Sequence, residues 1–165
     1  MLLKIKKCWK LIWGNEMGKS SFKIKNMKIR LAKNKKELED IFRIREIVFI
    51  KGQRVPRKRE RDEFDKSAKH VIILYNKKPI GCARVRFVHK KAKLERIALL
   101  KEYRNKGLGK MIMDYLINYC RKKKSKEIVL NSQYYIKDFY RKCGFKTRGK
   151  IFMDAGIKHI EMYLK

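Results

Sequence analysis

The sequence has few of the residues that break or bend a chain. Among its 165 residues there are two prolines and nine glycines. Their scarcity argues against low-complexity linkers. No apolar run is long enough to cross a bilayer, so no transmembrane segment is expected. Apolar residues still make up 44% of the chain, which is enough to bury one core. The composition therefore predicts one globular domain.

Acidic residues are also scarce. Sixteen Asp and Glu stand against 47 Lys and Arg, which gives a formal net charge of +31. Such an excess fits an anionic partner, namely nucleic acid, a membrane surface or a phosphorylated ligand. It also fits a lysine-rich proteome that sets the surface composition. Because the lysines are scattered along the chain, we favour the second interpretation and keep nucleic acid as a less favoured partner.

Cysteine occurs four times, with no CxxC pair and no histidine at zinc spacing. This pattern predicts no metal site. Cys82 and Cys120 fall in apolar patterns and are expected to be core thiols. A reducing, cytoplasmic setting is the simplest one for such a chain.

The first 26 residues differ from the rest. Residues 1–13 alternate lysine with Leu, Ile and Trp, and they lack the apolar block of a signal peptide. The segment can be a basic amphipathic helix on a membrane surface. It can also be an idle extension or a mis-called start, because Met27 begins a natural-looking domain. We favour this second interpretation, with an extension over 1–26 and a domain over 27–165.

The pattern after residue 26 predicts a mixed sheet with helices packed against it, an α/β or α+β single domain. Strands are predicted over 27–31, 70–76, 80–88, 94–100, 126–130, 146–152 and 157–164. Helices are predicted from Asn34 to Gly52, from about Gly107 to Lys122, and from Tyr134 to Lys142. The role of the charged residues 51–68 does not follow from their pattern.

One turn carries a chemical signal. The strand that ends near Leu100 runs through Arg104–Gly109, which reads RNKGLG, into the longest helix. Because the first amides of a helix lack internal partners and glycine lets the backbone approach closely, this turn predicts a pyrophosphate site. Cations are supplied by Arg104, Lys106 and Lys110. A Walker A loop and a full Rossmann fingerprint are absent. A tight strand–helix connection is the alternative interpretation.

Three segments together are more specific than this turn. They are Leu94–Leu99 (LERIAL), Arg104–Lys110 (RNKGLGK) and Phe139–Phe145 (FYRKCGF). With their spacing, they resemble the strand, the [Q/R]-x-x-G-x-[G/A] turn and the Tyr-x-x-x-Gly-Phe segment of the GNAT family of acyl-CoA-dependent N-acyltransferases. Further segments look like the ElaA/YjcF-like branch: Arg45–Phe49, Gln53–Pro56, Asp62–Asp65, His70, Gly81–Arg84, Gln133 and His159–Met162.

The resemblance implies a GNAT-like acyl-CoA N-acyltransferase fold, with acetyl-CoA as acyl-donor co-substrate and no metal. It implies a pantetheine arm held by the strand, a pyrophosphate held by the turn, and an oxyanion contact from an amide near Leu99. The implied cofactor-binding residues are Ile97, Ala98, Leu99, Arg104, Asn105, Lys106, Gly107, Leu108, Gly109, Lys110 and Gln133. Gln133 stands where the family often has asparagine.

The resemblance also implies transfer of the acetyl group to a primary amine of a small molecule or protein. Tyr140 matches the tyrosine that can protonate the departing thiolate, and its alternative role is a buried aromatic. Glu95 is the first candidate for the base, and its alternative role is an ion pair with Arg84 or Arg96. For His70 and His159 a structural role is at least as well supported.

The acceptor itself is not specified by the sequence. Arg45, Arg84 and Arg86 can line a pocket for an acidic or phosphorylated acceptor, or lie on solvated faces. The alternative function is a basic nucleic-acid or ribosome-associated module on the same fold without catalysis. A homodimer is also left open.

Overall fold

The structure is a computed structural model that describes residues 26–165. Both interpretations of the N-terminal extension therefore fall outside the described residues, Asn26 apart. The described chain forms one mixed sheet of seven strands in the order β1-β2-β3-β4-β5-β7-β6. The strands are β1 Met27–Leu31, β2 Lys69–Tyr75, β3 Lys78–Val88, β4 Lys91–Leu99, β5 Glu127–Gln133, β6 Lys146–Asp154 and β7 Ile157–Leu164. The predicted fold class is confirmed, and the seven predicted strands occur in the predicted order along the chain.

Four α-helices join these strands: α1 Lys35–Arg45, α2 Arg57–Glu60, α3 Leu108–Lys122 and α4 Lys137–Lys142. A π-helical stretch, Glu46–Lys51, continues α1 up to Gly52. Asn34 caps α1 as its sequence predicts, because its side chain accepts a hydrogen bond from the Glu37 amide at 3.0 Å. Glu37 does not close the reciprocal half of a capping box. Its carboxylate instead accepts from the Lys33 amide at 2.8 Å and pairs with Arg30.

The sheet has a core on each face. Along β2, Val71 and Ile73 face one core and Ile72 faces the other, as the two-residue period of a strand requires. The larger core receives one side of α3. The smaller core receives α1, with Ile41, Ile44 and Val48. The sheet is thus sandwiched between α1 and α3.

A β-bulge in β4 changes which residues face each core. Cys82 pairs with Ala98 but Arg84 pairs with Glu95, so β4 has one extra residue relative to β3. Arg96 lies in this interval with φ +53, in the left-handed region. Before the bulge Leu94 faces the larger core, and after it Ile97 and Leu99 do. The bulge therefore turns both Glu95 and Arg96 away from that core.

The strands β4 and β5 separate halfway along their length. They pair in parallel only from Lys91 to Leu94, against Glu127 to Leu130. On its other edge β5 pairs with β7 from Ile128 to Gln133, whereas residues 95–99 of β4 have no ladder partner on the β5 side. The sheet therefore opens into a wedge at the bulge, which we call the β4/β5 wedge.

A glycine allows β3 and β4 to approach closely next to the wedge. Gly81 pairs with Leu99, and a Cβ at position 81 would lie 2.6 Å from the Ala98 carbonyl oxygen and 2.7 Å from Leu99 Cδ2. Because a backbone atom cannot yield without moving the strand, we expect Gly81→Ala to destabilise the fold by about 1–3 kcal/mol. Urea unfolding would measure this. An unchanged transition midpoint would contradict the close approach.

Candidate active site

The β4/β5 wedge continues into a pocket of about 280 Å³. Its walls come from distant parts of the chain. They are the end of α1 and the segment after it, strands β3, β4 and β5, Tyr140, and the β6–β7 hairpin. On β4 the lining residues run from Lys93 to Ile97 and stop there. This placement brings Glu95, Ile97, Gln133 and Tyr140, all predicted site residues, to one cavity.

The predicted phosphate-binding turn lies beyond the end of β4. Gly107 begins α3 with φ +72, and Asn105 also has a positive φ, +63. No side chain of residues 26–165 caps this helix. A Cβ at position 107 would meet no atom within 4 Å, so the space above the turn is open. The first-turn amides, with their partial positive charge, are therefore available to an anion.

The three cations predicted at this turn have different positions. Arg104 is only 6% exposed, and its Nε and Nη2 donate to the Leu99 carbonyl at 2.9 and 2.7 Å. Burial lowers the pKa of its guanidinium to about 10. Lys110 is exposed and pairs with Asp114, and Lys106 lies 5.9 Å from the Tyr103 ring centre. Arg104 thus fastens the turn to the end of β4.

Eight charged side chains form a cluster beside the pocket, which we call the ionic network. Its members are Arg45, Arg84, Arg86, Arg96, Glu60, Asp62, Asp65 and Glu95. The segment after α1 supplies three of the four acids, and the sheet supplies three of the four arginines. The charged residues 51–68 therefore form a wall of the pocket, a role that their pattern did not reveal.

Two arginines of the network are fully buried. Arg45 is 0% exposed and donates to Glu60 at 2.5 Å and to Asp65 at 2.6 Å. Arg84 is 1% exposed and bonds Asp62, Asp65 and, through Nε at 3.1 Å, Glu95. The interpretation of these two arginines as solvated faces is wrong. Since carboxylates neutralise both charges, neither guanidinium is available to an acidic acceptor.

Arg96 ties the acid-bearing segment to the bulge in β4. Its guanidinium donates to the carbonyl of Arg59 at 2.9 Å, to the carbonyl of Glu60 at 3.1 Å and to the Asp62 carboxylate at 3.1 Å. The left-handed backbone at Arg96 thus directs this side chain to the wall of the pocket. Its predicted ion pair with Glu95 is replaced by these contacts.

Glu95 reaches the pocket as a paired carboxylate. Arg84 and Arg86 both donate to it, at 3.1 and 2.8 Å, so its alternative role in an ion pair with Arg84 is present. Burial raises the pKa of Glu95, but the Arg86 hydrogen bond and the charges of Arg84 and Arg86 outweigh it and the pKa is lowered. A carboxylate held in this way is a weaker base than an unpaired one.

The ionic network makes the stability of the fold depend on pH. Burial raises the pKa of Asp65, but hydrogen bonds and charge from Arg45 and then Arg84 lower it from 3.8 to about 2. Because the folded state binds this proton more weakly, the stabilisation is present above pH 4 and is lost as the pH falls towards 2. Asp65→Asn should be less stable at pH 6, with the difference from wild type shrinking between pH 4 and 2.

Urea unfolding at a series of pH values would measure this. Glu63→Gln, which removes an exposed acid of the same segment, serves as the control and should follow the wild-type curve. A difference between Asp65→Asn and wild type that stays constant down to pH 2 would contradict the assignment.

Tyr140 lines the pocket and belongs to the core at the same time. It is 5% exposed, and its ring meets Phe139 and Phe145 edge to face at 5.1 and 6.1 Å. Both of its predicted roles are therefore compatible with its position. Gln133, at the end of β5, accepts a hydrogen bond from the Tyr135 hydroxyl and donates to Gln53 at 3.2 Å. Gln53 also lines the pocket. The sequence places it in a segment that resembles the ElaA/YjcF-like branch but assigns it no role in the site.

The histidines and thiols take structural contacts. His70 lies buried outside the pocket, with Nε2 2.9 Å from the Asp65 carbonyl, and burial lowers its pKa. His159 lines the pocket, with Nδ1 2.9 Å from the Ile157 carbonyl. Cys82 and Cys120 are buried core thiols as predicted, and burial raises the pKa of each to about 12.

Comparison with known proteins places this site in a family. The profile of the acetyltransferase (GNAT) domain matches residues 38–165. The chain is 39% identical over 137 residues to the uncharacterized N-acetyltransferase YjcF of Bacillus subtilis. The match covers 82% of this chain and 98% of YjcF. The crystal structure of Escherichia coli ElaA is similar with a TM-score of 0.76 at 17% identity, over 84% of this chain and 99% of ElaA.

A GNAT acetyltransferase from Elizabethkingia anophelis, solved with acetyl-CoA bound, is similar with a TM-score of 0.69 at 17% identity, over 85% of this chain and 98% of that one. The wedge, the glycine turn and these matches agree, and the chain belongs to the GNAT family of acetyltransferases. The resemblance to its ElaA/YjcF-like branch is confirmed. Such a protein is an acyl-CoA-dependent acyltransferase, which acts on an acceptor substrate.

Within residues 26–165, the structure contains neither a membrane-spanning helix nor a cluster of metal-ligating side chains. No helix in that range has the length and apolarity needed to traverse a bilayer. Within the same range, no group of three or more His, Cys, Asp or Glu side chains is placed to hold a metal ion.

Proposed function

We propose that the domain over residues 27–165 transfers an acetyl group from acetyl-CoA to a primary amine by direct attack on the thioester. The observation that carries this proposal is the pairing of an open anion-binding turn with an adjoining polar pocket. The turn starts at the end of β4, and the pocket flanks the same strand. A co-substrate lying along β4 would place its phosphates at the turn and its acyl group at the pocket.

The proposed coenzyme contacts use the edge of β4 that has no β5 partner and the open turn before α3. The backbone groups of Ile97, Ala98 and Leu99 have no ladder partner on the β5 side, and those that face the opening can bond the pantetheine arm. Leu99 would use its amide, because its carbonyl accepts from Arg104. The amides from Asn105 to Lys110 can bond the pyrophosphate. Gln133 would contact the arm from the opposite wall. Arg104 would keep the backbone of Leu99 in position through its hydrogen bonds to the Leu99 carbonyl.

In the proposed reaction, one side chain of the site accepts a proton and another donates one. The neutral amine nitrogen attacks the thioester carbon, the nitrogen–carbon bond forms and the carbon–sulfur bond breaks. An amide near Leu99 would stabilise the charge that develops on the carbonyl oxygen. Glu95 would take the amine proton, and Tyr140 would donate its hydroxyl proton to the leaving thiolate. Because its pKa is lowered, Glu95 would act on an amine whose proton is already made acidic by bond formation.

Coenzyme binding is the first part of the test. At 100 times its dissociation constant, CoA should stabilise the fold by about 2.7 kcal/mol and raise the melting temperature by several degrees. Gly107→Ala should weaken this shift, because it adds a Cβ where the phosphate would approach. Gly149→Ala is the matched control, since both glycines have φ near +75 and open space around a Cβ. It carries similar backbone strain in β6.

Catalysis is the second part. Thiol release from acetyl-CoA would be followed with a panel of primary amines, and the product amide would be identified by mass. A protein that neither gains stability with CoA nor releases thiol with any amine would overturn the proposed function.

A further inference from the structure

The end of α1 places Gln53 in the pocket at a cost in backbone strain. The helix widens into a π-helix over Glu46–Lys51, a local form that is often found at functional sites. Arg54 then takes a left-handed backbone with φ +61, which is costly for a residue with a Cβ. The Val55 amide bonds the Phe49 carbonyl at 3.0 Å across this turn. As a result Phe49, Gln53 and Val55 all line the pocket.

A chain of hydrogen bonds fixes which way the Gln53 amide points. The Tyr135 hydroxyl donates to Gln133 Oε1, so the Gln133 nitrogen is turned to Gln53. Gln133 Nε2 then donates to Gln53 Oε1 at 3.2 Å. The amide oxygen of Gln53 is thereby occupied, and its nitrogen ends the chain.

That terminal nitrogen is a buried donor. Gln53 Nε2 is shielded from solvent and has no hydrogen-bond partner among the described residues. An unmade hydrogen bond at a buried donor costs about 1–3 kcal/mol, so native structures rarely keep one without a reason. The strained turn and the hydrogen-bond chain hold the Gln53 side chain at the pocket wall. Because Nε2 itself is covered, a small rotation of the side chain would be needed to present this donor to a ligand oxygen in the pocket.

The position of Gln53 separates the acceptor from the coenzyme. The pocket that it lines ends on β4 at Ile97 and includes no residue of the Asn105–Lys110 turn. Gln53 therefore lies in the half of the site that remains for the acceptor once the coenzyme occupies the turn. The attacking amine cannot be its partner, because the only lone pair of the amine nitrogen forms the new bond.

We propose that Gln53 Nε2 donates a hydrogen bond to an oxygen of the acceptor, which makes the preferred acceptor a primary amine with a hydroxyl or carbonyl oxygen near the amine. This assignment rests on the proposed acetyl transfer. Gln53 is then the residue that determines acceptor specificity. Gln133, besides its proposed contact with the coenzyme arm, positions the Gln53 amide, and Tyr135 positions Gln133. The balanced charges of the ionic network agree with an acceptor chosen by hydrogen bonding more than by charge.

Pairs of amines that match in size test the proposal. Ethanolamine is compared with propylamine, and glycinamide with isobutylamine, by thiol release from acetyl-CoA. Gln53→Leu, with Gln53→Met as a second apolar variant, should lower kcat/KM for the oxygen-bearing member about tenfold, mainly through KM. For the apolar member the change should stay below about twofold. Ratios of variant to wild type cancel the differing basicity of the amines.

Tyr135→Phe should cause a smaller loss that is greater for the oxygen-bearing amines, because it frees the Gln133 amide to turn away from Gln53. The urea midpoint of Gln53→Leu should stay close to that of wild type, since removal of an unpaired buried donor offsets the loss of one hydrogen bond from Gln133. The thermal shift with CoA should be unchanged. A purely structural role for Gln53 would instead lower the midpoint and reduce turnover of both members of a pair.

Equal losses for both members, or a weakened CoA shift, would overturn the assignment of Gln53 to the acceptor. The same conclusion would follow if the ratio of variant to wild-type kcat/KM were no lower for the oxygen-bearing amines than for the apolar ones. If the wild-type protein releases no thiol with any amine, the proposed acetyl transfer itself is overturned, and the assignment of Gln53 falls with it.

Discussion

Arg45→Leu is expected to lower the free energy of unfolding by about 3–5 kcal/mol, because it leaves two buried carboxylates without their main partner. Arg45 is fully buried, and it bonds both Glu60 and Asp65. Attraction within the network offsets the cost of removing these charges from water only while every partner is present. Urea unfolding near pH 7 measures the loss.

An exposed ion pair of the same segment provides the control. Arg57 pairs with Glu46 at 3.1 Å, but more than half of its side chain is in water. Arg57→Leu should therefore cost no more than about 1 kcal/mol. The double variant Arg45→Leu with Glu60→Leu should recover part of the loss, because it removes one of the unpaired acids. Equal losses for Arg45→Leu and Arg57→Leu would show that burial does not set the strength of these pairs.

Tyr140→Phe is expected to reduce acetyl transfer at least about 100-fold if its hydroxyl protonates the leaving thiolate. The ring contacts with Phe139 and Phe145 do not involve the hydroxyl, so the fold should be retained. The stabilisation by CoA should also persist, which separates a chemical defect from a binding defect. Steady-state thiol release and the CoA thermal shift are the two measurements.

Tyr119→Phe is the matched control for this change. Tyr119 lies on α3, stacked 6.4 Å from Tyr115 and outside the pocket. Tyr119→Phe removes a hydroxyl outside the pocket and should leave turnover near the wild-type level. Unchanged turnover of Tyr140→Phe would mean that water protonates the thiolate, and Tyr140 would then remain a core aromatic.

The parts of the fold that the sequence predicts well are those determined locally. The periodic apolar positions of α3 and the alternation along β3 each arise within a single element, so the pattern alone is sufficient. Ala83 and Val85 lie in the larger core, on the face opposite Arg84. The open glycine turn before α3 was also predictable, because its amides and glycines are contiguous.

The proposed acceptor half of the site depends on contacts between distant residues. Arg84 meets Asp62 across 22 positions, through a charged segment with no periodicity to reveal its fold. The bulge at Arg96 depends on the register between two strands, which a single strand does not specify. The position of the Arg104 side chain likewise depends on the Leu99 carbonyl, so its charge alone suggested a more direct contact with the anion.

The β4/β5 wedge gives the sheet two edges in its interior. Past Leu94, each of the two strands presents backbone groups to the other without reaching it. Such edges can recruit a strand from another molecule and start aggregation, and natural sheets protect them with bulges and inward-pointing charges. Here the bulge at Arg96 and the charges of Glu95 and Arg96 lie at this opening. The same residues that shape the site are therefore expected to protect this opening from pairing with a strand of another molecule.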